Sequence, residues 1–454
     1  MQHNQPIARR DFLKKAGILA LAHPLLAHGA SASLQAGVSK RQITPPVFIP
    51  YLTSSANGTC APFKEIHDQL FARALVVDDG RKAIAILAVD AIGYDNLVLG
   101  SKRHFTRELR RKIAAKTKLH PDAILLCATH GHSTPETIGL TNFRDFDGAK
   151  DWLENHLQEL ADTVIEAWQK RQPVRTRFGQ RRVEGIARNR RVLLKNGKLS
   201  VNGPMPPPDQ IAAPCPLDED LSVLYFETET GTPHSAMLNY TAHPVVTMLL
   251  PGVSADYPGA TAARVEQELP GTICLFTQGA AGNINSIHVT TKYDDATALG
   301  DKLGHAALAE IENLQNKTSL LDQKISYRSH NIQLKPRSFS PTSHRLAQKL
   351  SEDTLQVEIQ TLRLGPITWT ALPGEPFVET GLALKQAGAS FVVGYANGWH
   401  GYFPIQRAYA EGGYEVGLGA WSRVAAGSAE TLELYAKKEL DRRASCRERV
   451  SSPV

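Results

Sequence analysis

The stretch that decides the fold of this chain is Ala123-Ile124-Leu125-Leu126-Cys127-Ala128-Thr129-His130-Gly131-His132-Ser133. Its first half is a short apolar run that breaks into glycine and small polar residues, which is typical of a buried strand that ends in a loop. Open α/β sheets place their ligands at the carboxyl ends of strands. Residues two apart on an extended chain point to one face, so His130 and His132 are predicted to address one site.

An isolated His-x-His pair is more often two surface histidines of a loop than a metal site. This chain, however, repeats the setting: the apolar run 235–240 ends just before His243, and the run 367–372 is followed by Gly374 and Glu375. Imidazole is the commonest protein ligand for metals. The sequence therefore predicts several strand ends that carry metal-binding side chains.

The remaining pattern predicts a mixed α/β fold, a β-sheet core flanked by helices. A Gly/Ala-rich turn at 278–286 is interpreted either as a ligand-binding turn or as a tight connection, and Asp256 either as a helix cap or as a site carboxylate. The aromatic loop at 396–404 is consistent with a packed surface loop. The predicted helices cover 97–115, 152–169 and 254–268, and the predicted strands include 75–77, 83–89, 176–183, 192–194, 221–227, 272–276 and 391–395.

Length and charge limit the classes of function. The chain has 454 residues, 42% of them hydrophobic, and a formal net charge of +6. Residues 1–32 hold four Lys or Arg against one Asp, and residues 443–454 hold three Arg against one Glu, so +3 and +2 fall in the ends and about +1 is left for the body. This balance gives no electrostatic reason to expect a nucleic-acid partner.

The two ends of the chain are predicted to lie outside the folded domain, which we expect to span 33–442. The segment 8–15 resembles a twin-arginine export signal, and an apolar stretch and Ala30-Ser31-Ala32 follow it, as in a cleaved signal peptide. We therefore expect the twin-arginine machinery to export residues 33 onward to the periplasm or the medium. The segment 443–454 resembles a translated sequencing adapter rather than native protein. No segment is long and apolar enough for a transmembrane span.

An ordered set of motifs resembles the catalytic domain of the neutral/alkaline non-lysosomal ceramidases, over about residues 37–420. In chain order the motifs are Thr44-Pro45-Pro46, the His-x-His stretch, Asn189-Arg190, His243, Ser254-Ala255-Asp256, the loop 278–286, Gly374-Glu375, Gly401-Tyr402 and Tyr414-Glu415. The resemblance implies the α/β fold of that domain and an exported, zinc-dependent hydrolase of an N-acyl (amide) bond, with a lipid or small-molecule substrate. Sphingolipid metabolism is the setting that it implies.

The resemblance also implies roles for individual residues. It places one Zn²⁺ ion per chain on His130, His243, Glu375 and Tyr402, a set that general zinc chemistry also favours. It places His132, Arg190 and Tyr414 on the substrate carbonyl, where they would stabilise the oxyanion formed when zinc-bound hydroxide attacks.

The chain departs from the ceramidase pattern at three points. The family loop reads Asn-x-Gly-Asp-x-Ser-Pro-Asn and its Ser has been assigned a catalytic role, whereas Asn285 stands at that position here and Ser286 follows it. Gln42 stands where the family usually has Asp. The immunoglobulin-like C-terminal domain of the family is also expected to be missing. If the serine hydroxyl is the nucleophile, this protein is expected to act differently; if zinc hydroxide is, Asn285 is expected to bind the substrate or support the loop.

Three other classes fit parts of the pattern. A dinuclear hydrolase of the metallo-β-lactamase type requires His-x-His-x-Asp-His, but Ser133-Thr134-Pro135-Glu136 follows the histidines here. An amidohydrolase barrel carries His-x-His on its first strand and requires eight βα repeats, which this sequence does not show. A periplasmic zinc-containing binding protein without turnover stays open, although His132, Arg190 and Tyr414 favour catalysis.

Overall fold

A computed structural model describes residues 33–54, 59–141, 143–337, 355–417 and 419–448. The predicted signal peptide and the last residues of the predicted non-native tail lie outside these residues. The strands are β1 (Gln35–Gln42), β2 (Pro50–Ser54), β3 (Thr59–Pro62), β4 (Glu65–Ile66), β5 (Phe71–Asp78), β6 (Ala83–Val89), β7 (Ile124–Ala128), β8 (Gln172–Arg182), β9 (Ala187–Asn189), β10 (Arg191–Leu193), β11 (Leu199–Val201), β12 (Asp220–Thr228), β13 (Pro233–Tyr240), β14 (Gly252–Val253), β15 (Ile273–Gln278), β16 (Ile284–Ser286), β17 (Ile325–Leu334), β18 (Leu355–Leu364), β19 (Ile367–Ala371), β20 (Glu375–Pro376), β21 (Phe391–Val393) and β22 (Tyr402–Phe403). The helices are α1 (Phe105–Ala114), α2 (Ala149–Gln169), α3 (Asp256–Glu268), α4 (Tyr293–Gln315), α5 (Val378–Gln386), α6 (Gln406–Glu411) and α7 (Ser428–Glu448).

The central sheet has eight strands in the order β15-β13-β12-β8-β1-β5-β6-β7. It is mixed: β6 pairs with β7 and β13 with β15 in parallel, while its other neighbours pair antiparallel. Strands such as β7, which is buried along its whole length, have apolar residues on both faces because both faces of the sheet are covered. The prediction of a mixed sheet flanked by helices is confirmed.

The two faces of this sheet are covered by different layers. Helices α1 to α4 supply apolar side chains such as Leu109, Leu157 and Val265 to the core on one face. A second sheet, in the order β17-β18-β19-β21, packs on the other face through residues such as Leu362 and Trp369. Helices α5 and α7 pack on the outer face of this second sheet through residues such as Leu384 and Leu432. The described residues from Ser33 onward therefore form four layers, two sheets between two layers of helices.

The first predicted helix begins later than expected. The sequence favoured a helix from Leu97, but α1 begins at Phe105, after His104 as its N-cap residue. Gly100 has a φ of +124°, a backbone conformation that interrupts a right-handed helix. The carbonyl oxygen of the Asn96 side chain accepts bonds from the amide and hydroxyl of Thr106, at 3.2 and 2.8 Å. The apolar residues before Gly100 therefore belong to a loop in which Val98 and Leu99 are buried and Leu97 is exposed.

The two edges of the central sheet are brought together by the segment 394–397. The Gly394 amide donates to the carbonyl of Gln278 at the end of β15 (3.0 Å), and the Asn397 amide donates to the carbonyl of Leu126 in β7 (2.9 Å). The Ala128 amide in turn donates to the carbonyl of Tyr395, at 3.3 Å. As a result the carboxyl ends of β7, β13, β15 and β19 lie around one point, although these strands are far apart in the sequence.

Candidate metal centre

His130 follows β7 and is held by the backbone on both sides. Its φ of +67° is in the left-handed region, which residues other than glycine rarely occupy. The His130 amide donates to the carbonyl of Ala91 at 2.8 Å, and its Nδ1 lies 2.5 Å from the carbonyl oxygen of Ile92. Because a carbonyl can only accept, Nδ1 carries the proton and Nε2 presents a lone pair.

His243 follows β13 and has the same arrangement. Its Nδ1 lies 2.6 Å from the carbonyl oxygen of Ala281, and its amide donates to the carbonyl of Ile284 at 2.9 Å. The Gly/Ala-rich turn after β15 therefore orients this imidazole through its backbone, and Nε2 again presents a lone pair. Burial lowers the pKa of His243 to about 4, so the ring is neutral at neutral pH.

Three acceptor atoms face one another at the centre of the site. The Nε2 atoms of His130 and His243 are 3.1 Å apart, and Oε2 of Glu375 lies 3.1 Å from the Nε2 of His243 and 3.4 Å from that of His130. With both Nδ1 protons donated to carbonyls, no proton is left between these atoms in the neutral rings. Facing lone pairs and a carboxylate repel one another unless a cation lies between them, so the donor set fits a metal ion.

Glu375 is held rigidly in this position. Gly374 before it has a φ of +62°, and a Cβ atom there would lie 2.4 Å from the carbonyl oxygen of Gly401, so only glycine fits. The indole Nε1 of Trp399 donates to Oε1 of Glu375 at 2.9 Å, which leaves Oε2 free to face the histidines.

His132 completes a group of three histidines whose ligand atoms lie within 4.8 Å of one another. Its Nε2 is 3.3 Å from the Nε2 of His130, and its Nδ1 is buried without a hydrogen-bond partner among the described residues. Burial, followed by the neighbouring imidazoles, lowers the pKa of His132 well below its usual value. The structure thus brings His132 to the other two histidines as a neutral side chain, and its unpartnered Nδ1 can bind a ligand.

Arg190 lies beside this centre in a fully buried network. Its Nε donates to Oε1 of Glu415 at 2.8 Å, one terminal nitrogen donates to Oδ1 of Asn285 at 3.1 Å, and the other to the carbonyl of Gly282 at 2.5 Å. Glu415 also accepts from Arg191 at 2.8 Å through its second oxygen. One carboxylate therefore positions two neighbouring arginines.

The two predicted tyrosines line the space between Glu375 and Arg190. Tyr402 pairs with Glu375 in the short parallel ladder of β20 and β22, which places a second predicted ligand beside the first. The guanidinium carbon of Arg190 lies 5.3 Å from the ring centre of Tyr402 and 5.6 Å from that of Tyr414. Burial raises the pKa of Tyr414 to about 12, so its hydroxyl keeps its proton and can donate.

Asn285 reaches the site through the backbone of β16. It forms an isolated parallel bridge with His243, and its side chain holds Arg190. Together with this residue, all eight sequence-predicted side chains lie in one contiguous region, in which His132 and Tyr414 are half-buried and the other six are buried. The structure also shows the contacts of Asp256, which the sequence predicts as a helix cap or a site carboxylate. Its Oδ2 accepts from the amide and hydroxyl of Thr247, at 2.9 and 3.0 Å, so it anchors the loop that follows His243.

Sequence reasoning missed three residues of the site. Trp399 lies in the loop 396–404, which the sequence predicts as a packed surface loop, Tyr395 ends the predicted strand 391–395, and Glu415 enters only as part of a motif. The ring of Tyr395 stacks on His130 with centroids 4.0 Å apart, and its buried hydroxyl has no partner among the described residues. The closely spaced aromatic and glycine residues of 395–402 were the available indication.

The fold and these side chains define a mixed α/β protein with a candidate metal centre at its strand ends. Its structure is similar to the crystal structure of neutral ceramidase from Pseudomonas aeruginosa, with a TM-score of 0.69 and 19% identity, over 93% of this chain and 75% of that one. It is equally similar to the structure of a ceramidase complexed with C2, with a TM-score of 0.70 and 18% identity, over 92% of this chain and 76% of that one. The chain therefore has the neutral ceramidase fold, as the motifs predicted.

No family model matches the sequence, and no curated protein sequence matches it. Among the helices of the described residues, none combines the length and apolar character needed to cross a bilayer.

Proposed function

We propose that this protein is a zinc-dependent hydrolase that cleaves an N-acyl (amide) bond in a lipid or other small molecule. The observation that carries the proposal is the set of lone pairs on His130 and His243 that converge with the Glu375 carboxylate at 3.1 to 3.4 Å. Two neutral imidazoles and one carboxylate are a ligand set typical of catalytic zinc. The shared fold with neutral ceramidases supports the amide as the bond attacked.

In this proposal four side chains hold one zinc ion per chain: those of His130, His243, Glu375 and Tyr402. Zinc would lower the pKa of water to about 7 and so supply a nucleophile at neutral pH. The backbone carbonyls that accept from the two Nδ1 atoms fix both rings, and Trp399 fixes the carboxylate. Partners of this kind in the second layer of a metal site keep the ligands in place and are important for affinity.

The substrate carbonyl would lie between the metal and the polar wall formed by His132, Arg190 and Tyr414. Arg190 is fixed by Glu415, Asn285 and Gly282, so its positive charge needs no reorganisation when negative charge develops on the carbonyl oxygen. The protonated hydroxyl of Tyr414 and the neutral imidazole of His132 can each donate a hydrogen bond to the same oxygen.

Asn285 replaces the serine of the ceramidase pattern, and we assign it to support of the wall. Its side-chain oxygen accepts from Arg190 at 3.1 Å, and its nitrogen donates to Oδ1 of Asn202 at 3.4 Å. An amide has no hydroxyl to act as a nucleophile, so in this proposal the attacking group is water.

We also propose that residues 33–442 form the hydrolase domain and that the twin-arginine segment directs its export to the periplasm or the medium. The described residues from Ser33 onward form one compact unit, which is consistent with that boundary.

The test is zinc content and turnover measured on the same preparations of the full chain. Wild-type protein is expected to hold one zinc per chain, to release fatty acid from a panel of N-acyl substrates that includes ceramide, and to lose and regain activity with chelator and added zinc. His243→Ala is expected to lose zinc and activity with an unchanged far-ultraviolet circular dichroism spectrum. The matched control is His305→Ala, because this histidine is exposed on α4 and its Nδ1 bonds the carbonyl of Asp301 on the same helix.

Stoichiometric zinc in His243→Ala would show that the metal site is misplaced. Zinc-loaded wild type that cleaves no member of the panel would overturn the amide hydrolase and favour the binding-protein alternative.

A further inference from the structure

A cavity of about 470 Å³ lies between α1, the paired strands β17 and β18, and the segment that carries Asn397 and His400. Its size is that of a pocket for a small organic molecule. The metal ligands do not line it, although Trp399, the partner of Glu375, lies in the segment that forms one of its walls. Nothing in the proposed hydrolase uses this cavity.

The cavity is lined by three arginines from one face of α1. Arg107, Arg110 and Arg111 are spaced so that the side chains project from neighbouring positions of the helix. Arg110 is buried, with an exposure of 6%. One of its terminal nitrogens donates to both oxygens of Glu358, at 3.0 and 2.9 Å. Its other terminal nitrogen is buried without a hydrogen-bond partner among the described residues.

The other two arginines are not neutralised in the same way. Arg107 donates to the amide oxygen of Gln356 at 3.2 Å, and the ion pairs found among the described residues include none for Arg107 or Arg111. The remaining carboxylate of the lining, Asp122, is about half exposed and offsets one of these positive charges. Two guanidinium groups with free N–H donors therefore face the cavity.

Two imidazoles add further donors. The Nδ1 of His104 accepts from the amide of Arg107, at 3.4 Å, so its Nε2 carries the proton of the neutral ring. His400 also lines the cavity, and burial lowers its pKa to about 4, as burial also does for His104. Neutral imidazoles donate one hydrogen bond each without repelling the arginines. The wall is therefore rich in donors, and its free charge is positive.

We infer that this cavity is a binding site for an organic anion that carries a phosphate or carboxylate group. The planar fork of N–H groups on arginine matches both groups in a bidentate manner. Three arginines against the carboxylates of Asp122 and Glu358 leave the lining with a net charge of +1, which favours an anion. The volume exceeds that of the anionic group alone, so the organic part of the ligand is accommodated as well.

The experiment is calorimetric titration of the full chain with phenyl phosphate, with benzoate as the carboxylate counterpart and inorganic phosphate as the bare anion, all at constant ionic strength. The decisive variant is Arg107→Gln/Arg111→Gln, which removes the free charges and leaves the Arg110–Glu358 pair. The matched control is Lys112→Gln/Lys116→Gln, because it removes the same charge and Lys112 bonds Gln158 on α2, away from the cavity.

We expect the wild type and the lysine control to bind phenyl phosphate with the same dissociation constant and the arginine variant to bind at least tenfold more weakly. Inorganic phosphate is expected to bind more weakly than phenyl phosphate, because it leaves most of the cavity unfilled. Equal affinity in the arginine variant and the lysine control would overturn the assignment, as would heats no larger than those of chloride at the same ionic strength.

Discussion

Glu415 is the residue whose replacement tests the architecture of the site most directly. Its carboxylate is fully buried, and each of its oxygens lies 2.8 Å from a guanidinium nitrogen, one on Arg190 and one on Arg191. Both arginine side chains are 5% exposed, so the charges are compensated mainly by this one carboxylate. Glu415→Gln keeps the volume of the side chain and removes the charge.

We expect this substitution to lower the free energy of unfolding by about 3 to 5 kcal/mol, the usual cost of leaving a buried charge without its partner. Arg191 keeps a second carboxylate, Glu411, at 3.1 Å, whereas Arg190 loses its ion-pair partner. The unpaired charge is therefore that of Arg190, and we expect both the turnover rate and the free energy of unfolding to fall. Urea unfolding followed by circular dichroism should show a midpoint lower by roughly 1 M.

The matched control is Glu411→Gln, which removes the other carboxylate of Arg191. Glu411 is 26% exposed, so solvent screens its charge, and the expected cost is about 1 kcal/mol or less. If Glu415→Gln costs no more than Glu411→Gln, the carboxylate does not hold the arginines as described and the reasoning fails.

Three further predictions concern single side chains. Asn285→Ser removes the bond to Arg190 (3.1 Å); we expect slower hydrolysis of every amide tested, and faster hydrolysis of ceramide would instead implicate the missing hydroxyl as a nucleophile. Burial raises the pKa of Glu136 to about 7, so between about pH 4.5 and 7 the folded chain holds a proton that the unfolded chain has released. The free energy of unfolding therefore falls as the pH rises through this range. Glu136→Gln should remove this slope, which is up to about 1.4 kcal/mol per pH unit. Tyr395→Phe keeps the ring stacked on His130 and removes an unpartnered hydroxyl, so the metal-free protein should be as stable or about 1 kcal/mol more stable. The measurement is thermal unfolding, with Tyr257→Phe as the comparison. The Tyr257 hydroxyl donates to a backbone carbonyl at 2.5 Å, so its removal should be destabilising.

The positions of the candidate ligands were predictable because they follow a local rule. Apolar runs that break at His130, His243 and Glu375 are visible in the sequence, and in the structure each of these residues follows a buried strand. The strand bounds differ from the predicted ones by a few residues. What the local pattern indicates is that a strand ends, and this was enough to find the histidines and the carboxylate.

The arrangement of the strands was not predictable, because it depends on contacts between distant segments. Nothing local in 394–397 shows that its backbone joins the edges of the central sheet at β7 and β15, and nothing in β17 to β19 shows that they form a separate sheet. The partners of the ligands are hidden for the same reason. Trp399 reaches Glu375 only because Gly374, Gly398 and Gly401, all with positive φ, fold the loop back on the carboxylate.

The large sequence separation of the candidate metal ligands means that the chain must fold before it can bind a metal at this centre. His130 and His243 are 113 residues apart, and His243 and Glu375 are 132 apart. Closing loops of this length is entropically costly and long-range pairing is slow, so a nascent or unfolded chain holds no preassembled site. In the proposed function, uptake of the metal therefore follows completed folding, and a chain exported already folded acquires its metal on the side of the membrane where it is made.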